Sequence, residues 1–364
     1  MQRFVIAIAL AFTFMTAVRA DEGADEGRKY LKKLGAAWAQ KLPEPRVMGI
    51  YVGRKWAGKA TFTVKATTEG GAAFDFTADT AFDLMGSAMS EHSHILLSRD
   101  LTVVAADTEG KARSGTGTKK LTVKDGRWTL QIEKGGLKQE KSGEMTSTTV
   151  WDGGTLLAFA MPEAKETTLV CANGDVGTET FARRDAKERL TLGGKEAEYT
   201  VLEVTNEDHS TRWYLDDAGN GVYMRFIGKP LCARPCPAAN VGKDIDEPLE
   251  VSEPVQRVID LYMAMKKGDA DGFLATWDLP AVADETGETA EGVEAGLKQK
   301  MLTPEAQQQL PDEAMLPDYF ATLGTATQNG DEAEVDFGRA LFNLHKVNDA
   351  SGKPRWLIYS ADTR

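Results

Sequence analysis

Residues 190–228 read LTLGGKEAEYTVLEVTNEDHSTRWYLDDAGNGVYMRFIG, and this stretch decides the fold. Tyr199, Val201 and Val204, then Trp213 and Leu215, then Val222, Met224 and Phe226 bring strand-forming side chains in at the two-residue spacing of a half-buried strand. Between the last two runs, Asp216-Asp217-Ala218-Gly219-Asn220-Gly221 gathers residues that tolerate positive φ, as a tight hairpin turn demands. The stretch is a run of antiparallel hairpins. It specifies no reaction.

Working backwards, the same rhythm begins at Val47. Met48, Ile50 and Val52 open a strand, Gly53-Arg54-Lys55 turns it, and Ala60, Phe62 and Val64 return; Phe74 and Phe76 follow the Gly70-Gly71 break. Further runs occupy 94–97, 101–105, 120–123, 128–132, 146–151 and 167–171. So many strands at short spacing predict one large curved antiparallel sheet, a half-barrel or barrel, over residues 45–229. Residues 155–161, before Pro162, are more apolar than their surroundings and fit either a short helix plugging the concave side or a central strand. Ser114-Gly115-Thr116-Gly117-Thr118 lacks the spacing and the following helix of a phosphate cradle and reads as a loop.

At the start of the chain, Arg3, an apolar run over 4–18 and Val18-Arg19-Ala20 have the pattern of a cleavable signal peptide over residues 1–20. The run is short for a span of about 20 apolar residues, so the expected mature protein is periplasmic or secreted and does not span the membrane. Residues 21–44 follow as an amphipathic helix with Leu31, Leu34, Trp38 and Leu42 on one face, closed by Pro43 and Pro45. Losing Arg3 and Arg19 with the leader takes the formal charge from −12 to −14. That field argues against nucleic acid, whose phosphates need clustered Lys and Arg.

Cysteines in an exported chain meet an oxidising compartment. Cys232 and Cys236 are candidates for a small-loop disulfide, with Cys171 as an alternative partner for that loop. Their spacing is neither that of a redox pair nor of a zinc set, and no metal or cofactor is expected.

Pro230, Pro235, Pro237, Pro248 and Pro254 mark residues 230–252 as a Pro-rich linker. Beyond it, Val255, Val258, Ile259, Tyr262 and Met265 follow helical spacing, and Gly268 stops the helix. A second helix over 269–277, a Glu-rich loop, helices over 293–301 and 303–310, and strands over 321–328, 334–337, 341–347 and 355–360 make residues 253–364 a small α+β domain.

Candidate chemistry is sparse. His92 and His94 share one face of a strand beside Glu91, yet only His209 and His345 remain to complete a metal site. No Gly-x-Ser-x-Gly elbow is present. His345 with Asp318 and Tyr319 is a candidate acid–base group for a pocket in the second domain. Tyr51, Trp56, Phe62, Phe74, Phe76, Trp128 and Trp213 suffice to line a lipophilic groove, although aromatics on half-buried strands commonly form core.

The opening strand Ile50-Tyr51-Val52-Gly53, the long meander and the closing Trp213-Tyr214-Leu215-Asp216-Asp217 strand resemble the lipoprotein-carrier-like half-barrels of the periplasm, over about residues 45–229. That resemblance implies a concave apolar groove that receives acyl chains. In the second domain, Val258-Ile259-Asp260-Leu261-Tyr262, then Lys267-Gly268-Asp269-Ala270 and Phe273, and finally Trp356-Leu357-Ile358-Tyr359, resemble the nuclear transport factor 2-like or cystatin-like fold. It implies a curved sheet wrapped around a helix as a cone, with an early strand that the sequence does not reveal.

The resulting expectation is an exported, non-catalytic protein that binds an apolar small molecule, a lipid or an envelope protein through the large sheet. Two alternatives stand beside it: a small-molecule enzyme in the second domain, and a scaffold that self-associates through that domain.

Overall fold

The computed structural model describes residues 22–84, 86–113, 115–174, 177–185, 187–192, 195–207, 210–246, 251–337, 340–349 and 351–363. The expected leader and His209 lie outside these. The fold is mainly β: a sixteen-stranded sheet, a helical segment and a four-stranded sheet.

After helix α1 at 22–40, eight strands run as a meander. They are β1 (Arg46–Val52), β2 (Lys55–Ala66), β3 (Phe74–Leu84), β4 (Ser87–Leu97), β5 (Val103–Ala112), β6 (Gly115–Lys124), β7 (Arg127–Lys134) and β8 (Leu137–Glu144). A short pair, β9 (Thr149–Val150) and helix α2 (Gly153–Leu156), precedes β10 (Glu166–Cys171), β11 (Thr178–Arg183), β12 (Glu188–Leu192), β13 (Lys195–Thr205), β14 (Ser210–Leu215), β15 (Gly221–Phe226) and β16 (Leu231–Pro235). In space the order is β8-β7-β6-β5-β4-β3-β2-β1-β16-β15-β14-β13-β11-β10-β9, with β12 hairpinned onto β13 alone.

Consecutive strands β8 and β9 thus sit at opposite ends of the sheet, joined only by residues 145–148. Extended chain of that length reaches at most about 17 Å, so the two ends must come round towards each other. Gly174, just past β10, indeed backs onto Leu130 and Ile132 of β7, and Lys141 of β8 donates to its carbonyl. The sheet is barrel-like, with its last gap crossed by a loop rather than by a ladder.

Helix α1 lies inside the curl. Its buried face is Leu31, Leu34 and Trp38, as the spacing predicts. Three glycines on that face bring the backbone close to opposite walls. A Cβ on Gly27 would stand 2.3 Å from the carbonyl oxygen of Thr168 on β10, and one on Gly35 would stand 2.1 Å from that of Arg99 after β4. Residues 155–161 take the plug alternative, a helical turn followed by irregular chain with Leu156, Leu157 and Ala158 buried.

Several expectations are corrected. The linker over 230–252 contains β16, a strand paired on both sides, to β1 and β15; Pro230 and Pro235 only bracket it, where no ladder donor is lost from its centre. Residues 115–118 open β6 rather than forming a loop. The strand β8 is charged and exposed along its length, so its alternation carries no apolar signal. Cys232 and Cys236 are free: extended chain sets residues four apart by about 13 Å, beyond the roughly 7 Å that a disulfide tolerates between Cα atoms.

The rest of the chain forms α3 (Glu253–Lys267), α4 (Ala270–Leu274), α5 (Leu279–Thr286), α6 (Ala290–Met301), α7 (Pro304–Gln309), α8 (Leu316–Leu323), β17 (Thr325–Asn329), β18 (Glu332–Asp336), β19 (Ala340–Asn348) and β20 (Pro354–Thr363). Gly268 caps α3 at φ 67°, the left-handed conformation that glycine adopts freely. Val258 and Ile259 of α3 pack with Phe342, Leu344, Trp356 and Ile358. The Glu-rich loop is partly helix α5, and α8 occupies residues read as the start of a strand. Ahead of α5, Trp277 makes a single parallel bridge to Ile358 of β20: Ile358 N–H donates to Thr276 O at 3.0 Å and Asp278 N–H to Ile358 O at 2.8 Å.

Candidate functional site on the concave face

The seven candidate groove aromatics divide between two faces. Phe62, Phe74, Phe76, Trp128 and Trp213 belong to the core inside the curl. Tyr51 and Trp56 lie on the other face, in a small cluster with Val201, Tyr214, Tyr223, Cys232 and Ile245. For Tyr51 the alternation with Met48 and Ile50 already says so. For Trp56 a bulge is responsible: Ile50 pairs with Gly58 and Tyr51 with Trp56, so Ala57 is an extra residue and the parity of β2 flips there. The two rings then meet edge to face, 5.5 Å apart.

Inside the curl, the aromatics converge on groups supplied by the chain itself. Phe159 of the plug sits 6.0 Å from Phe76 and 6.5 Å from Phe62, and Trp38 of α1 sits 5.5 Å from both Phe74 and Phe159. Met161 reaches Trp213 beside Gly221, where a Cβ would collide with both. Tyr30 of α1 donates from its hydroxyl to Ala160 O at 2.9 Å, tying helix to plug; burial pushes its phenol up. The middle of the concave face is therefore filled.

Two hollows adjoin that filled core. One, of about 250 Å³, lies between α1 and residues 160–167, lined by Tyr30, Leu34, Ala37, Ala160 and Met161, with Lys33 and Glu163 at its edge. The other, of about 390 Å³, is the open mouth of the curl. Along the concave face the paired rows run Phe76, Ile95, Ala106, Leu121, Leu130 within the core, then Ala78, Ser93, Thr108, Lys119, Ile132, then Thr80, Glu91, Gly110, Gly117, Lys134. Gly110 pairs directly with Gly117, so the third row has a floor without side chains. Phe82, Met89 and Ile132 wall it. Sequence reasoning missed this floor; glycines inside a strand pattern were the signal.

Beneath the plug lies a buried acid. Glu179 of β11 is 5% exposed and accepts from the Cys171 thiol at 3.5 Å. Burial, then the charge of Asp152, pushes its carboxyl up to about 7, and burial pushes the Cys171 thiol up as well. A Cβ on Gly153 would fall 2.5 Å from the Glu179 carboxylate, so the plug's first turn rests directly on this acid.

The histidine candidates go elsewhere. His92 pairs with Asp79 at 2.7 Å and His94 with Asp75 at 3.0 Å, both on the outer face, and no group of three metal-ligating side chains forms among the described residues. His345 meets Asp278 at 2.7 Å and lies 5.0 Å from the Tyr359 ring. Asp318 instead pairs with Arg54 of the large sheet at 2.9 Å, so the structure does not bring His345, Asp318 and Tyr319 together as one acid–base group.

The fold and this concave face define a barrel-like β protein. No family model matches the chain, and no curated protein matches it. A solved structure described as a beta-barrel-like protein of a domain of unknown function, from Brucella abortus, is similar at 9% identity and a TM-score of 0.32, over 52% of this chain and 92% of that one.

Proposed function

We propose that this chain is an exported, non-catalytic binding protein that holds an apolar ligand, or an apolar segment of an envelope partner, at the open mouth of its barrel-like sheet. One observation carries the reading: concave surface continues past the filled core into a groove with the Gly110 and Gly117 floor, walled by Phe82, Met89 and Ile132. Transferring apolar surface from water into such a site gains about 25 cal/mol per Å². The resemblance of residues 45–229 to lipoprotein-carrier-like half-barrels supports it, and the nuclear transport factor 2-like order of residues 253–364 is that of a fold hosting binders as well as enzymes. The signal pattern in residues 1–20 supports a periplasmic or secreted location.

Titrating the mature protein with a fluorescent fatty acid tests this. Saturable binding is expected, weakened at least tenfold in Gly117→Trp, whose ring fills the groove; a Cβ there meets nothing closer than 3.4 Å, so the strand accommodates it. Folded protein that shows no saturable binding ends the proposal.

A further inference from the structure

Glu179 stands in β11 where an apolar side chain belongs. It pairs with Leu169 and shares the inward face of its strand with Phe181, and both of those neighbours are fully buried. The groups that act on its carboxyl come from three directions: Asp152 and the Gly153 N–H from the plug's first turn, the Cys171 thiol from β10, and the Asn206 side chain from just past β13. None of them is basic. Exposed Glu207 approaches the start of β11 at Gly177 and brings only further negative charge. Lys141 of β8 reaches the loop between β10 and β11, where it donates to Gly174 O.

A buried carboxylate without a cation is unstable in its charged form, and a second carboxylate beside it makes matters worse. Hydrating it requires movement. A Cβ on Gly153 would stand 2.5 Å from Glu179 Oε2 and 2.6 Å from the Phe181 ring, so the plug lies flush on the acid. The plug is also the part able to yield. Its backbone bonds are local, Ala158 N–H to Thr155 O at 3.3 Å, Phe159 N–H to Leu156 O at 3.0 Å and Ala160 N–H to Leu156 O at 3.3 Å, and among the described residues no backbone bond joins 153–161 to a strand. At its far end two side chains hold it, the Tyr30 hydroxyl on Ala160 O and Arg183 Nε on Pro162 O.

We propose that Glu179 is a proton-operated latch on the plug: protonated, it lets residues 152–161 rest in the concave face; ionised, it lifts the plug's first turn and uncovers the Phe62 and Phe76 rings beneath Phe159. The latch works without a ligand and is independent of the groove at the mouth.

Hydrogen exchange of the full mature chain, read by mass spectrometry between pH 6 and pH 8 and corrected for the intrinsic chemical rate, is the test. The carboxyl rises to about 7 under the closed plug and returns to its ordinary 4.5 on release. Protection of the peptide covering 153–161 should therefore fall roughly tenfold across that range, while β10 and β11 keep theirs. Glu179→Gln, which preserves size and stays neutral, should show no fall. Asp152→Asn, which removes the neighbouring charge, should move the fall to lower pH. The latch is overturned if wild-type protection of 153–161 does not change with pH, if β10 and β11 lose protection in parallel, or if folded Glu179→Gln behaves like wild type. Should Glu179→Gln not fold, Asp152→Asn decides, and an unmoved midpoint overturns the proposal.

Discussion

Helices α1 and α8 both dock onto the large sheet, and they do so by opposite means. Helix α1 enters the curl with side chains removed, Gly23, Gly27 and Gly35 bringing its backbone against β10 and the turn after β4, while Leu31, Leu34 and Trp38 fill the space that remains. Helix α8 stays outside, with Gly53 of the β1–β2 turn against Asp318, and it is held chiefly by polar bonds: Arg54 Nε donates to both oxygens of Asp318 at 2.9 Å, and Arg225 binds the carbonyls at the helix's C-terminal end. Non-directional packing tolerates no added volume, whereas directional bonds tolerate added volume but not a lost donor.

The comparison breaks most visibly at Gly35. Gly35→Leu has to displace the Arg99 backbone, and a loss of at least about 3 kcal/mol is expected from urea unfolding, or no folded protein at all. Near-wild-type stability would mean that α1 is not seated in the curl. Arg225→Met comes next: it keeps the bulk and strips the α8 carbonyls of their donor, for about 2 kcal/mol in the same assay. A neutral result would place the strength of that junction elsewhere.

The smallest effect sharpens the contrast through pH. Glu179 under the plug keeps its proton up to about 7, whereas the unfolded chain releases it near 4.5. Between those values the native state binds more protons, so rising pH favours unfolding. Wild type should therefore lose up to about 2 kcal/mol relative to Glu179→Gln between pH 5 and pH 8, read from paired melts. Parallel curves for the two proteins would show that the acid is not held as its surroundings imply.

What the sequence revealed follows from how burial writes itself into side-chain order. The α1 face and the strands around Phe74, Phe76 and Trp213 are half-buried elements, and their periodicity shows it. Strand β16 hid because its five residues sit between prolines that elsewhere mark loops, and β8 because an exposed edge has no apolar side to alternate with. Trp56 was put among the wrong neighbours since a single extra residue, Ala57, reverses the faces without altering composition. The mouth groove was missed for the opposite reason: its floor is made by the absence of side chains at Gly110 and Gly117. The cluster of Glu179, Cys171 and Asp152 under the plug is assembled from three separate elements, which no local spacing encodes.

The β1–β16 joint has a consequence for how the chain is made. Met48 pairs with Pro235, so the seam at the middle of the sheet unites the earliest strand with the last. Strands β1 to β8 can zip up as local hairpins while synthesis continues, leaving β1 with an unpaired ladder edge until β16 emerges. Such an edge is a template for other chains, and long-range pairing is slow to form. The nascent polypeptide is thus most vulnerable to aggregation in the interval between its first hairpin and its final strand.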